Sequence, residues 1–273
     1  MILIGGSNFV AVRFSNAELP PYWGASLRFL PAAALLFASL AVWRIPVPRG
    51  AALAGAAIYG ALNFGVSYAL LYFGLQKATA GTASVILATL PIFTFGLALV
   101  HGLERFRLRP LVGAVIAAVG IAIVFVEQLS ADVPPVYLFA ILGGSAVGAE
   151  ASVVVKRFPR THPLSTNAVG MLVGGAIVGA FSLLAGEPRP LPQHPETQLA
   201  VLYLATVGAI GLFGLFLFIL GRWTASASSY ALVAMPLVAG ALGAALRGEP
   251  LSAFFIVGAA IVGLGVYVGA LSR

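Results

Sequence analysis

The chain has 273 residues, of which 60% are hydrophobic and only 8% are charged, and its mean hydropathy is +1.04. Soluble domains carry about 25% charged residues, so a water-soluble fold is excluded and lipid is the expected solvent for most of the chain. The net charge of +7 comes from 15 Lys and Arg against 8 Asp and Glu. Most of these basic residues lie in the short loops between apolar segments, which favours a topological role over nucleic-acid binding.

The composition also argues against metal, cofactor and enzyme chemistry. The chain has no cysteine, which removes disulfides and thiolate metal sites. His101, His162 and His194 lie at predicted helix ends or in loops, and none has a second ligand at zinc spacing. No Asp falls inside a predicted membrane segment, and the one His that does, His101, is the last residue of its segment. An intramembrane nucleophile–base pair or metal centre would need such residues at depth. We therefore expect no cofactor, no metal and no enzyme activity.

Apolar segments bounded by prolines or charges predict an all-α integral membrane protein with ten transmembrane helices. The predicted spans are 1–14, 22–43, 51–75, 79–101, 110–128, 135–156, 164–186, 198–221, 225–246 and 251–271. The first span is short, since a span needs about 20 residues. It also has no basic n-region and no cleavage site, unlike a signal peptide. We expect the sequence to begin inside its first helix.

Lys and Arg are unevenly distributed between the two sides of the predicted topology. The even-numbered loops and the two termini carry ten of them, and the odd-numbered loops carry four. The positive-inside rule therefore predicts that both termini are cytoplasmic.

The second half of the sequence repeats the first at an offset of 145 residues. The matched pairs are Thr79/Thr224, Ala80/Ala225, Ser84/Ser229, Leu87/Leu232, Pro91/Pro236, Glu104/Glu249, Gly113/Gly258 and Gly120/Gly265. Each half contains five predicted spans, and an odd number turns the second half upside down. The sequence thus predicts two inverted five-helix repeats, 1–130 and 131–273.

Pro91 and Pro236 fall near the middle of spans four and nine. Each proline removes a backbone donor and clashes with the carbonyl four residues back, and lipid offers nothing to satisfy the freed group. We interpret the pair as hinges that line a shared cavity, although a harmless kink is the alternative. Glu104 and Glu249 are expected to neutralise neighbouring arginines or to cap the following helix.

Polar and aromatic side chains inside the spans predict a largely uncharged substrate cavity. In span three, Tyr59, Asn63 and Ser67 recur every four residues and so share one helix face, and Tyr68 lies on the adjacent face. The alternative is that these groups only hydrogen-bond between helices. The complete predicted cavity set is Ser7, Asn8, Tyr59, Asn63, Ser67, Tyr68, Thr82, Ser84, Glu150, Phe213, Ser228 and Ser229.

Two charged residues lie away from the ends of the predicted spans, Glu150 and Arg28. Glu150 is the only acid well inside one, and it either contributes to the cavity or pairs with Arg157, seven residues further on. Arg28 lies one to two turns into span two, where we expect it to anchor to lipid headgroups.

The pattern from Thr79 through Ser84, Pro91, Glu104 and Gly113 to Gly120, repeated from Thr224 to Gly265, resembles the EamA-type repeat of the drug/metabolite transporter superfamily. This resemblance implies a ten-helix carrier with inverted halves, and the chain is similar to YddG-type exporters of aromatic and other neutral amino acids. It further implies a multi-pass protein of the bacterial inner membrane that exports its substrate by alternating access.

The expected partners are a small-molecule substrate, namely amino acids, and the lipid bilayer. We expect a monomer, with an oligomer left open. An exporter of other small metabolites or drugs, such as a nucleobase, a sugar or a quaternary amine, is the alternative function. A quaternary amine would require an acid facing aromatic rings, and Glu150 is the only candidate. A channel is a further alternative, which counterflow exchange would separate from a carrier.

Overall fold

A computed structural model describes residues 1–129, 133–247 and 251–271. Within these residues all regular secondary structure is helical and no strand occurs. Large apolar side chains are exposed over the surface, among them Val42 at 77% and both Val100 and Leu184 at 84%. Lipid is the solvent that such a surface fits, so the all-helical membrane class predicted from the composition agrees with the structure. The predicted role of Glu249 lies outside the described residues.

The helices follow the predicted spans closely. Their bounds are α1 Ile2–Asn16, α2 Pro21–Val42, α3 Ala51–Leu75, α4a Ala80–Leu87, α4b Leu90–Val100, α5 Leu108–Val124, α6 Pro135–Val154, α7 Pro163–Leu184, α8 Pro195–Leu220, α9a Ala225–Val233, α9b Met235–Arg247 and α10 Ala253–Leu271. Proline is the first residue of α2, α6, α7 and α8, the position where its missing N–H costs no hydrogen bond.

Over the described residues, eight helices are long and apolar enough to cross a membrane, judged by length and composition: α2, α3, α4, α6, α7, α8, α9 and α10. α5 is a shorter apolar helix of 17 residues. It gives way to a 3₁₀ turn at Val126–Gln128, so the predicted span 110–128 is too long at its end. α1 has 15 residues. The prediction of ten spans therefore depends on these two short helices.

Local features of the backbone recur at the offset found in the sequence. A π-helical segment occupies Ala61–Val66 in α3, and a second occupies Thr206–Gly211 in α8, 145 residues later. Thr79 accepts a hydrogen bond from the backbone N–H of Thr82 at 3.1 Å and so caps α4a. Thr224 caps α9a in the same way, also at 3.1 Å.

α4 and α9 are each interrupted immediately before a proline. α4a and α4b meet just before Pro91, and α9a and α9b meet just before Pro236. The proline ring and its missing N–H explain both interruptions, because a regular helix cannot continue through the preceding turn. Movement at these two positions remains a prediction.

The helix packing also follows the repeat. α2 packs along α7, and α5 packs along α10, so each of these helices contacts its own counterpart. α1 contacts α8 and α9b, while its counterpart α6 contacts α3 and α4b. The two halves of the chain are therefore interleaved and do not form separate domains.

Small residues let α5 and α10 approach closely. A methyl group built on Gly265 would lie 2.5 Å from the backbone nitrogen of Ala117, and one on Gly120 would lie 2.7 Å from that of Val262. Backbone atoms cannot rotate away as a side chain can, so these contacts require glycine.

We predict that Gly265→Ala lowers the unfolding midpoint in detergent, because forcing apart a well-packed contact costs roughly 1–3 kcal/mol. Gly263→Ala on the same helix is the matched control, since a methyl group there meets no atom within 4 Å. Both changes gain the same helix propensity, so their difference isolates the packing. Heating followed by size-exclusion chromatography measures it, and equal midpoints would show that the contact is unimportant.

Candidate functional site

Arg28 is the one Lys or Arg side chain that is fully buried in the described part of the chain. It lies in the second turn of α2, about 10 Å along the helix from Pro21, and is only 3% exposed. Among the residues that the structure describes, no carboxylate forms an ion pair with it. The expectation that Arg28 anchors to headgroups is therefore wrong, because its guanidinium lies within the bundle. An unpaired charge there is costly, and its neighbours must hold it.

The π-helical segment of α8 supplies the hydrogen-bond acceptor for Arg28. A π turn departs from the regular α-helical hydrogen-bond pattern, which leaves backbone groups available to other partners. The Gly208 carbonyl accepts from Arg28 Nη2 at 3.0 Å and from Asn8 Nδ2 at 2.9 Å. α1, α2 and α8 thus converge on a single oxygen.

Two buried polar atoms at this point lack a hydrogen-bond partner within the described ranges: Arg28 Nε and Asn8 Oδ1. A carbonyl only accepts, so the Asn8 amide must direct its nitrogen at Gly208, which leaves Oδ1 as an unused acceptor. Asn8 is 6% exposed. The Arg28 guanidinium therefore has an unused donor and the Asn8 amide an unused acceptor, and both groups bind the same Gly208 carbonyl.

Aromatic rings surround the guanidinium. Arg28 Cζ lies 5.2 Å from the ring centroid of Phe29, 5.9 Å from that of Tyr68 and 6.0 Å from that of Phe213. Rings at this range attract a cation through their negative faces. Phe64 extends the group, with its centroid 4.7 Å from Phe213 and 5.0 Å from Phe29. We call Asn8, Arg28, Tyr68, Phe213 and the Gly208 carbonyl the central cluster.

The other predicted cavity residues of α1 and α3 lie in adjoining contacts. Ser7 hydrogen-bonds Tyr203 of α8, a residue that the sequence analysis did not single out. Tyr59 is fully buried, and its hydroxyl accepts from Asn63 Nδ2 at 3.5 Å. Ser67 donates to the Gly144 carbonyl of α6 at 2.8 Å, which is a contact between helices.

Three of the predicted hydroxyls of α4 and α9 hydrogen-bond within their own helix or to its capping residue. Ser228 donates to the Thr224 carbonyl at 2.8 Å, and Ser229 donates to the Ser226 carbonyl at 2.6 Å. The Thr82 hydroxyl contacts that of Thr79 at 3.0 Å. Ser84 is buried, at 6% exposure. No contact described for these residues connects them to the central cluster.

Glu150 lies in a different place from the central cluster. Its Oε1 is 2.9 Å from His101 Nε2 at the end of α4b, and His101 Nδ1 in turn is 3.2 Å from Arg157 Nη1. In the described residues Glu150 is linked to Arg157 through the imidazole, and not by the direct pair that was one of the two interpretations of the sequence. This chain of contacts connects α4b to α6.

Carboxylates connect the two halves of the chain at both ends of the bundle. Glu104 accepts from the backbone N–H and the hydroxyl of Ser226, so it caps α9a and not the helix that follows it in sequence. At the other end, Glu187 accepts from the backbone N–H groups of Tyr22 and Trp23 at the start of α2. Negative charge at a helix N-terminus stabilises it through the helix dipole.

A third carboxylate lies at the Glu187 end. Glu18 accepts from the backbone N–H groups of Gln193 and His194, just before α8. The N–H of Gln193 is the main cause that holds the pKa of the Glu18 carboxyl below its ordinary value. The stability that these hydrogen bonds contribute is therefore fully present at pH values above the ordinary pKa of a carboxyl group. It is lost as the pH falls through the lowered pKa of Glu18.

A cavity of about 620 Å³ opens at the Glu104 end of the bundle. It is lined by residues at the ends of α6 and α8 and the start of α7, with basic side chains from Lys156, Arg160 and Arg222. Lys156 donates to the Leu220 carbonyl at 2.8 Å, which stabilises the last turn of α8. This end is the one that the sequence predicts to be cytoplasmic.

Sequence reasoning missed Arg28 as a site residue, although a cation inside a span was the available signal. It missed Gly208 because the acceptor is a backbone carbonyl, which no side-chain pattern reveals. Asn167 of α7 also escaped notice; it is fully buried, and neither polar atom of its amide has a partner in the described part of the chain. No group of three or more potential metal ligands occurs in the described residues.

Known proteins resemble this chain along almost its whole length. The "Uncharacterized inner membrane transporter YedA" of Escherichia coli (strain K12) is 32% identical over 255 residues, which cover 92% of this chain and 82% of that protein. A "Probable amino-acid metabolite efflux pump" of Salmonella typhimurium (strain LT2) is 25% identical over 280 residues, 98% of this chain and 91% of that protein. A crystal structure of 19% sequence identity matches with a TM-score of 0.81, covering 99% of this chain and 94% of that one, which shows a shared fold.

The EamA-like transporter family model matches residues 1–126 and 135–270. These two stretches include nearly every described residue, with the central cluster drawn from both. The chain therefore belongs to the EamA-like transporter family, within the drug/metabolite transporter superfamily.

Proposed function

We propose that this protein exports amino acids, aromatic and other neutral ones, across a bacterial inner membrane by alternating access. The observation that carries the proposal is the central cluster, where a buried donor, a buried acceptor and aromatic rings from both halves meet. A relative named a probable amino-acid metabolite efflux pump and another named an inner membrane transporter support the substrate class and the location.

The proposed architecture is ten transmembrane helices in two inverted five-helix repeats, 1–130 and 131–273. The recurrence of the π segments, the threonine caps and the proline interruptions at one offset supports it. The match of one family model to two successive stretches supports it as well. Five spans per half would invert the second half, and the excess of Lys and Arg on one side supports cytoplasmic termini.

The cluster favours amino acids over the quaternary amine considered as the alternative. A cationic solute would meet the Arg28 guanidinium, which repels it. Glu150, the acid that such a solute would need, is already paired with His101. A nucleobase or a sugar carries no formal charge to pair with Arg28.

We expect purified protein in proteoliposomes to take up labelled neutral amino acids saturably, with uptake accelerated by the same solute trapped inside. The panel should contain aromatic, aliphatic, basic and acidic amino acids, a nucleobase and a quaternary amine. Acceleration by internal solute is a property of carriers and not of channels. Uptake of the amine alone would contradict the proposal.

We predict that Glu150→Gln leaves amino-acid exchange and its pH dependence within about twofold of the parent protein. A glutamine still offers an oxygen to the His101 N–H, so the contact between α4b and α6 persists without the charge. Uptake under an imposed pH gradient is the measurement. Loss of gradient-driven uptake in this variant would assign Glu150 a role in proton coupling.

We predict that Pro91→Ala slows exchange several-fold while leaving the equilibrium affinity for the amino acid nearly unchanged. Alanine restores a backbone donor and lets α4 become continuous, which opposes bending. Pro31→Ala is the control, because Pro31 is exposed in α2, a helix that continues through it. Exchange of both variants at the parental rate would remove the hinge role.

A further inference from the structure

We infer that Arg28 and Asn8 bind the two charged groups of a zwitterionic α-amino acid: the Arg28 guanidinium holds the carboxylate, and Asn8 Oδ1 accepts from the ammonium group. This inference rests on the proposed function and deepens it, since it assigns the polar contacts of the substrate to two residues.

The state of Arg28 is the first argument. Arg28 is only 3% exposed, and it has no carboxylate partner among the described residues. One carbonyl and three aromatic rings offset part of the desolvation, but the Nε donor is unpaired. A buried donor without an acceptor is costly, and a carboxylate satisfies both the charge and the geometry of a guanidinium.

The geometry of Asn8 is the second argument. Arg28 Nη2 and Asn8 Nδ2 both bind the Gly208 oxygen, so the two nitrogens lie no more than about 6 Å apart, given hydrogen bonds of ordinary length. The unused Oδ1 of Asn8 is an acceptor, which is the group that an ammonium needs. The unpaired Nε and Oδ1 belong to this same guanidinium and this same amide, so an unused donor and an unused acceptor lie on either side of one carbonyl. A zwitterion would present its carboxylate to the first and its ammonium to the second.

The aromatic rings provide the third argument. Tyr68 and Phe213 lie about 6 Å from Arg28 and contribute apolar surface beside the polar pair. A neutral side chain that leaves the α-carbon would contact these rings. A free amine would instead place its charge beside the guanidinium without any carboxylate to neutralise it.

Equilibrium binding of labelled L-phenylalanine to the purified protein in lipid nanodiscs tests the assignment. 3-Phenylpropionate, which has only the carboxylate, should compete, whereas phenethylamine, which has only the ammonium, should not. Arg28→Gln should weaken L-phenylalanine binding roughly 10- to 100-fold, the loss expected for a charged hydrogen bond. Arg28→Lys keeps the charge without the planar fork and should recover part of the affinity.

Asn8→Leu separates the two halves of the ligand. It should weaken L-phenylalanine while leaving the affinity for 3-phenylpropionate unchanged, a selectivity that a purely structural role of Asn8 would not produce. Arg222→Gln is the matched control, because Arg222 is exposed and also lies over an aromatic ring, 3.5 Å from the centroid of Phe218.

Two readouts distinguish this inference from the proposed function. Any of three results would overturn the assignment. These are parental affinity for L-phenylalanine in Arg28→Gln, competition by phenethylamine as strong as that by 3-phenylpropionate, and no binding of any carboxylate probe to the parent protein. Exchange in proteoliposomes is measured separately. If binding depends on Arg28 but the parent protein shows no exchange, the assignment stands and the export proposal fails. If the parent protein exchanges amino acids but Arg28→Gln binds them with parental affinity, the export proposal stands and the assignment fails.

Discussion

The hydrogen bonds to the Gly208 carbonyl determine how the centre of this protein is arranged. Inside a membrane, no water is available to satisfy a backbone oxygen that has left the regular helical pattern. The π segment of α8 presents such an oxygen, and Asn8 and Arg28 donate to it from two other helices. The same contact fixes a guanidinium among aromatic rings and leaves one donor and one acceptor unused.

Helix ends are joined across the bundle by a different interaction. Glu104 caps a helix of the second half, while Glu187 caps a helix of the first. Each carboxylate accepts from backbone N–H groups that have no partner within the helix they begin. The contact therefore stabilises the start of that helix and also holds the segment that carries the carboxylate. They lie at opposite ends of the bundle, so each end has a contact of this kind between the two halves.

The two halves of the chain are interleaved, and their helices are of two kinds: closely packed pairs and helices interrupted at a proline. Each half contributes helices to the surroundings of the other, as α2 does with α7 and α5 with α10. The close glycine contact between α5 and α10 resists separation, whereas α4 and α9 are interrupted at their prolines. Closely packed helix pairs and interrupted helices thus occur in the same bundle, and the proposed alternating access would bend the interrupted ones.

The sequence by itself determined the solvent, the helical class and the repeat. Those features depend on local properties, namely the length of apolar runs, the effect of proline on a helix and the capping preference of threonine, so the bounds of α2, α3 and α7 could be predicted closely. The sequence also marked Asn8, Tyr68 and Phe213 as cavity residues, since polar and aromatic groups inside a span stand out.

Tertiary structure alone decided which of those side chains meet. Arg28 looked like a headgroup anchor because its depth along α2 does not reveal which neighbours cover it, and only the fold buries it against α8. Glu150 looked like a partner of Arg157 because helical spacing places them on one face, yet His101 of another helix lies between them. The acceptor at the centre is a backbone carbonyl, and a glycine in an apolar stretch gives no sign that its oxygen will be free. Sequence patterns describe faces of single helices, and the site depends on contacts between four of them.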